Sequence, residues 1–230
     1  MQQVQQLDLN FGQNEVEGFR KFMLNMYNHT AGGLAVSFAS AMFVWTSGLM
    51  PILMSGLMLW VTMLAPLGMI FYYAYKGDDW DLKSLTAFYY TFVAVMGIGL
   101  SSVFAVYTST SIVEAFVVTS LTFGAASFYG HTTKRDLFGM GSFLMIGLIG
   151  VIIAFIVNFF LQSSAFNFAI SIVAIGIFLG LTMWDTQMAK RIYAETGDPR
   201  YGIRFALALY LNFINLFQLI LSFTGVRSDE

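Results

Sequence analysis

The sequence predicts an all-α membrane protein: a bundle of seven transmembrane helices, with its N-terminus in the cytoplasm and its C-terminus outside. Three observations predict it. Hydrophobic residues make up 57% of the 230-residue chain and charged residues only 10%, against about 25% charged in a typical soluble domain. Seven stretches reach the roughly 20 apolar residues that a helix needs to cross the hydrocarbon core. The basic residues alternate between the loops that join them.

So few charges could not cover a soluble surface of this size, and 24 Phe with 14 Met are not residues that face water. The mean hydropathy of +0.71 agrees. No composition shift divides the chain. It reads as a cytoplasmic tail over 1–22, a transmembrane domain over 23–223 and a short outer tail over 224–230. The polar start, MQQVQQLDLNFGQNEVEGF, lacks the basic region and short apolar core of a cleaved signal. The first span is therefore expected to act as its own insertion signal. Cys is absent, which excludes disulfides and thiolate ligands. The net charge of -2 and the lack of a basic run argue against nucleic acid as a partner.

The spans run over 23–46, 50–75, 84–106, 112–130, 138–161, 166–188 and 203–223. The first carries a row of small residues, Gly33, Ser37 and Ala41, suited to close helix packing. Pro51 is placed to start the second, and Pro66 to kink it where a missing N–H frees a carbonyl. In the fifth, the run GLIGVIIAFIVNFFL (147–161) does not alternate as a membrane β-strand would. Helices are then the remaining way to span, because lipid leaves an open backbone without partners. The sixth holds Gly176 and Gly180 in a GxxxG pattern, again a packing signal.

Orientation follows from Arg20 and Lys21 before the first span, Lys76 and Lys83 around the second loop, Lys134 and Arg135 in the fourth, and Lys190, Arg191, Arg200 and Arg204 beside the sixth. That places ten of the 11 Lys and Arg on one side, with Arg227 opposite. The positive-inside rule makes that side cytoplasmic.

An ionisable side chain within a span is costly, so each one is a candidate for function. Asp185, in LTMWDTQ, lies about one turn inside the cytoplasmic end of the sixth span; the bland alternative is a cap or an ion pair with Lys190. His29 and Glu114 read as interfacial, and His131 as a loop residue. In the seventh span Asn212, Asn215 and Gln218 recur every three residues, which implies an amide face turned into the bundle. Asn158 is read as a further buried amide, and Thr182 as a polar neighbour of Asp185. The bland reading of these groups is interhelical hydrogen bonding alone.

No enzyme chemistry is expected. There is no HExxH zinc pattern, no GxSxG nucleophile, and GMG (139–141) is too short to hold a nucleotide. No span contains the Lys that a retinal Schiff base needs. NHT (28–30) matches a glycosylation sequon but falls at the cytoplasmic end of a span. The acidic loop GDDWDLK (77–83) lacks the length and the Gly and Glu placement of an EF-hand, and reads as a solvated turn.

Several segments carry a family resemblance. TFGAASFYGHTTKRDL (122–137), followed by MGSFLMIGLIG (140–150), resembles the signature region of the Bax inhibitor-1 family, and GLSSVFAVYT (99–108) precedes it in the same pattern. LTMWDTQMAK (181–190) is similar to the family's sixth-helix motif, and LALYLNFINLF (207–217) to its seventh. The chain looks most like the bacterial branch. The resemblance implies seven helices with one enclosed by the others, in the cell inner (plasma) membrane. It also implies a pH-sensitive calcium leak, linked in eukaryotic relatives to protection against cell death. The family's proposed sensor is a pair of aspartates on the sixth and seventh helices. The first falls on Asp185; the second falls on Asn212, where the family commonly has Asp.

That departure has a physical consequence. Two neighbouring carboxylates resist ionising together and share a proton that titrates as a coupled unit. With Asn at 212 only one of the two titrates, and the amide can face either form of Asp185. The expectation is a passive cation leak, calcium being the permeating ion, with pH gating weakened or shifted. Calcium prefers six to eight oxygen ligands, so Asp185 would make a transient contact and not a storage site. No cofactor is expected; the partners are the lipid bilayer and, in a rival reading, another membrane protein. In that rival the chain does not conduct, and regulates a membrane-anchored protease or a stress or cell-death pathway. A secondary transporter has less support, since no inverted repeat or paired broken helices are visible. The chain is expected to be a monomer.

Overall fold

The computed structural model describes residues 13–228, and among them the chain is helical, with no sheet. Among the described residues nine α-helices follow in order, with a short 3-10 turn at Gly77–Asp79 after the third. They are α1 (Gln13–Thr46), α2 (Met50–Leu53), α3 (Gly56–Lys76), α4 (Leu82–Leu100), α5 (Ser102–Val106), α6 (Ser109–Thr132), α7 (Met140–Leu161), α8 (Ser164–Thr196) and α9 (Arg200–Thr224). Six stretches are long and apolar enough to cross a membrane: α3 with the turn after it, α4 with α5, α6, α7, α8 and α9. The span expected over 23–46 is the later part of α1. Its small residues pack well but carry little hydropathy, and α1 falls outside those six.

The ends of the helices follow local chemistry. Asp81 caps α4 by accepting from the Ser84 N–H at 3.0 Å. Thr108 accepts from Ser111 at the start of α6, and Ser163 from Phe166 at the start of α8, both at 3.3 Å. Each satisfies an N–H that the helix leaves open. α8 ends on Gly197 at φ 64°, in the left-handed region where a side chain is strained.

Two breaks and two longer helices set the structure apart from the sequence reading. The stretch 50–75 is not one helix: Pro51 begins the short α2, and Gly56, at φ 53°, turns the chain into α3. Pro66 lies inside α3 without ending it. The stretch 84–106 breaks at Ser101, where the Oγ of Ser101 donates to the Ile98 carbonyl at 2.7 Å and the Oγ of Ser102 to that of Gly99 at 3.0 Å. Hydroxyls that bond back in this way compete with the helix ladder. Lastly, α1 begins at Gln13 within the expected tail, and α8 runs to Thr196 instead of stopping near 188. At 33 residues α8 is about 50 Å long, well beyond the ~30 Å hydrocarbon core.

α9 is the centre of the bundle. It packs against α1, α4, α6 and α8, and Leu209, Tyr210 and Leu216 on it are fully buried. α7 packs mainly on α8, and α3 mainly on α4. The small row of α1 meets α4 closely. A Cβ at Gly33 would strike the Tyr89 ring, and one at Gly97 would strike the backbone of Ser37. Of the GxxxG pair only Gly180 makes a close approach, to Leu144 of α7; a Cβ at Gly176 would meet nothing within 4 Å.

Both ends of the bundle are tied. At the end that carries the basic loops, Arg204 pairs with Asp78 and donates to the Gly77 carbonyl at 2.9 Å. Arg200 reaches the Trp80 carbonyl at 3.3 Å. The loop GDDWDLK is thus a docked turn, although Asp78 itself stays exposed. The extension of α8 holds the loop after α6. Gln187 accepts from the Leu137 N–H at 2.7 Å and donates to the Arg135 carbonyl at 2.8 Å, while the Arg191 guanidinium lies 4.5 Å from the centre of the Phe138 ring. At the other end, residues 225–228 fold back as a strap. Thr108 donates to the Val226 carbonyl at 3.1 Å, Ser228 to that of Val106 at 3.0 Å, and Val226 to the Ser111 hydroxyl at 2.9 Å.

Candidate functional site

α8 and α9 run side by side, and their contact brings Asp185 and Asn212 together. The Asn212 Nδ2 donates to the Asp185 Oδ2 at 2.7 Å. Both side chains are buried, with 7% and 5% of their surface exposed. A carboxamide carries both donors and an acceptor, so this partner can serve a carboxylate or a carboxylic acid. The contact ties the central helix to its neighbour through one ionisable group.

The bland alternative for Asp185, an ion pair with Lys190, does not form. The Lys190 Nζ donates to the His131 carbonyl at 2.8 Å, and α8 continues about three turns beyond Asp185. His131 is itself helical, in the last turn of α6 and stacked on Phe19, not in a loop. His29 is half-buried, its Nδ1 3.0 Å from the Tyr90 hydroxyl. Glu114 is exposed on α6.

The amide stripe splits. A step of three residues turns a helix about 60° short of a full turn, so Gln218 stands about 120° round α9 from Asn212. Asn212 is buried, Asn215 half-buried and Gln218 exposed. Asn215 donates to the Leu211 carbonyl on its own helix at 2.8 Å. Asn158 is half-buried at the end of α7, where its side chain accepts from the Ser163 N–H at 3.3 Å and organises the turn into α8. Thr182 is fully buried, but its hydroxyl bonds the Phe178 carbonyl at 2.8 Å instead of Asp185.

Two polar chains beside the pair were not singled out from the sequence. On the α6 side, the Tyr27 hydroxyl lies 2.8 Å from the Ser127 Oγ, which lies 3.0 Å from the Thr186 Oγ1, and Thr186 donates to the Thr182 carbonyl at 2.8 Å. On the α1 side, Ser37 donates to the Val93 carbonyl at 2.6 Å and its Oγ is 2.7 Å from the Tyr210 hydroxyl. With one proton on Ser37, Tyr210 must be the donor to it. The available signal was modest: Ser37 belonged to the small row, and Thr186 follows Asp185. Among the described residues no three His, Asp or Glu gather as a metal site.

An all-helical bundle with six stretches long and apolar enough to cross a membrane, and a buried carboxylate–amide contact on its central helix, defines a multi-pass membrane protein. Residues 19–229 match the family model described as inhibitor of apoptosis-promoting Bax1. The chain belongs to that family, the Bax inhibitor-1 family. Among its relatives, an uncharacterized protein of Rickettsia prowazekii is 39% identical over 221 residues, covering 93% of this chain and 92% of the relative. One of Caulobacter vibrioides is 41% identical over 223 residues, covering 90% and 89%. The inner membrane protein YbhL of Escherichia coli is 45% identical over 148 residues, covering 62% and 63%. The chain is accordingly a protein of the cell inner membrane.

Proposed function

We propose that this chain is a passive cation leak of the Bax inhibitor-1 type, with calcium as the ion that crosses and the Asp185–Asn212 contact at its constriction. The observation that carries the reading is the 2.7 Å bond between a buried carboxylate on α8 and an amide on the enclosed helix α9. Separating α8 from α9 would break that bond and offer the carboxylate to an ion. Asp185 would be the one charged ligand, with amide and backbone oxygens completing a brief contact, which suits passage and not storage.

The topology of this reading has seven spans. α1 supplies the seventh, since it packs along α4 and α9, both of which are apolar enough to cross. The loops with Lys76, Lys134 and Arg135, and Lys190 and Arg191 then lie in the cytoplasm, and the strap of residues 225–228 lies outside. The protein works as a monomer. Because 212 is Asn, one carboxylate titrates where the family commonly has two, so pH gating is weaker or shifted.

Purified protein in liposomes loaded with a calcium dye tests this. The native chain should leak calcium, Asp185→Ala should change the rate several-fold, and Asn212→Asp should steepen its dependence on pH. An unchanged pH profile in Asn212→Asp would sink the gating claim. A flat trace from correctly oriented protein would favour the non-conducting interaction role instead.

A further inference from the structure

A second polar feature lies between α7, α8 and α9, toward the strapped end. It is a cleft of about 350 Å³ whose polar lining comes from Asn167, Ser171, Asn215, Gln218 and Ser222, with Phe178 among its apolar walls. Gln218 lies six residues and Asn215 nine residues before Thr224, the end of α9. That puts them about 9 Å and 14 Å along the helix from its outer end, within the hydrocarbon depth of a helix this long. Gln218 is exposed, and among the described residues its amide has no hydrogen-bond partner. An amide that faces hydrocarbon without a partner loses the hydrogen bonds that water gives it. A polar medium in the cleft would give that amide the partners that lipid tails cannot.

Its chemistry narrows the occupant. No charged side chain lines it, so nothing there would pair with a lipid phosphate. Amides and hydroxyls suit water and the hydration shell of a cation, and at ~30 Å³ per molecule the volume holds on the order of ten waters. The strap of residues 225–228 ties the ends of α5 and α6 at the same end of the bundle. The carbonyl of Phe178, on the cleft wall, accepts from Thr182, and Asp185 follows two turns further along α8.

We propose that this cleft is a water-filled vestibule, open toward the strapped end of the bundle, that brings hydrated cations to within two helical turns of Asp185. This rests on the leak reading for its direction and purpose, but water in the cleft is measurable without any flux. The chain has no Cys, so single cysteines report without background. Asn215→Cys, Gln218→Cys and Ser222→Cys, each in the full chain in vesicles, should react with a charged, membrane-impermeant thiol reagent added outside. Ile153→Cys and Ile156→Cys, on the exposed face of α7, should not. Calcium leak through the labelled Gln218→Cys protein should fall several-fold.

Failure of all three cysteines to react from outside, in protein that elutes and melts like the native chain, overturns the vestibule. Reaction only from the cytoplasmic side overturns it equally. Labelling that leaves the leak unchanged removes the cleft from the ion path. Absence of leak in the unlabelled protein counts against the leak reading alone, and the labelling then still decides whether the cleft is wet.

Discussion

α3 and α9 have the same mean hydropathy of 1.7 over their most apolar stretches, yet 6% of that stretch is buried in α3 and 61% in α9. Apolarity alone does not sort inside from outside when the solvent is lipid, because lipid tails solvate Leu as well as a protein core does. What differs is specific contact. α9 offers Tyr210 to Ser37 and Asn212 to Asp185, and it meets four helices. α3 is apolar on nearly every face, and its one buried residue is Thr62.

Matched substitutions on the two helices and their neighbours test that contrast. The largest effect is expected from Leu209→Ala, at a fully buried site on α9, which should cost about 2–5 kcal/mol through the cavity left behind. Leu64→Ala, half exposed on α3, should leave unfolding in detergent nearly unchanged. Equal losses at the two sites would erase the distinction. A smaller effect, about 1–3 kcal/mol from overpacking, is expected for Gly97→Val. Its side chain meets the Ser37 backbone, which cannot swing aside. Gly68→Val on α3, where a Cβ meets nothing within 4 Å, should be silent.

The smallest effect lies outside the membrane. The Arg200 hydrogen bond holds the Asp198 carboxyl below its ordinary value. A lowered value means that the contribution is complete above the unfolded value of about 3.9 and is lost as pH falls through the folded one. Asp198→Asn should therefore lower the melting temperature slightly at neutral pH, and the gap to the native chain should close in strong acid. A gap that widens in acid would reverse the assignment.

Hydropathy located the long helices because a crossing demands about 20 apolar residues, and little else satisfies that demand. It missed the breaks at Gly56 and Ser101, where a single positive φ and two back-bonding hydroxyls decide the path. Asp185 stood out because charge is rare in a span, and Asn212 because three amides recur in one helix. The grouping of those amides failed, since a three-residue rhythm drifts round a 3.6-residue helix. Tyr27 and Ser127 gave no warning, and Thr186 only its place beside Asp185: their contacts join residues as much as 100 positions apart, and a hydroxyl in an apolar run is equally at home bonding its own helix.

The central position of α9 also constrains how the molecule is made. In the chain, α9 comes after every helix it touches. Synthesis runs from the N-terminus, so α1, α4, α6 and α8 are made before the element that fills the space between them. Until α9 enters, Asp185 and Ser37 lack the side chains that they meet in the finished bundle. The contacts that fix the centre of the bundle are thus the last that the growing chain can make.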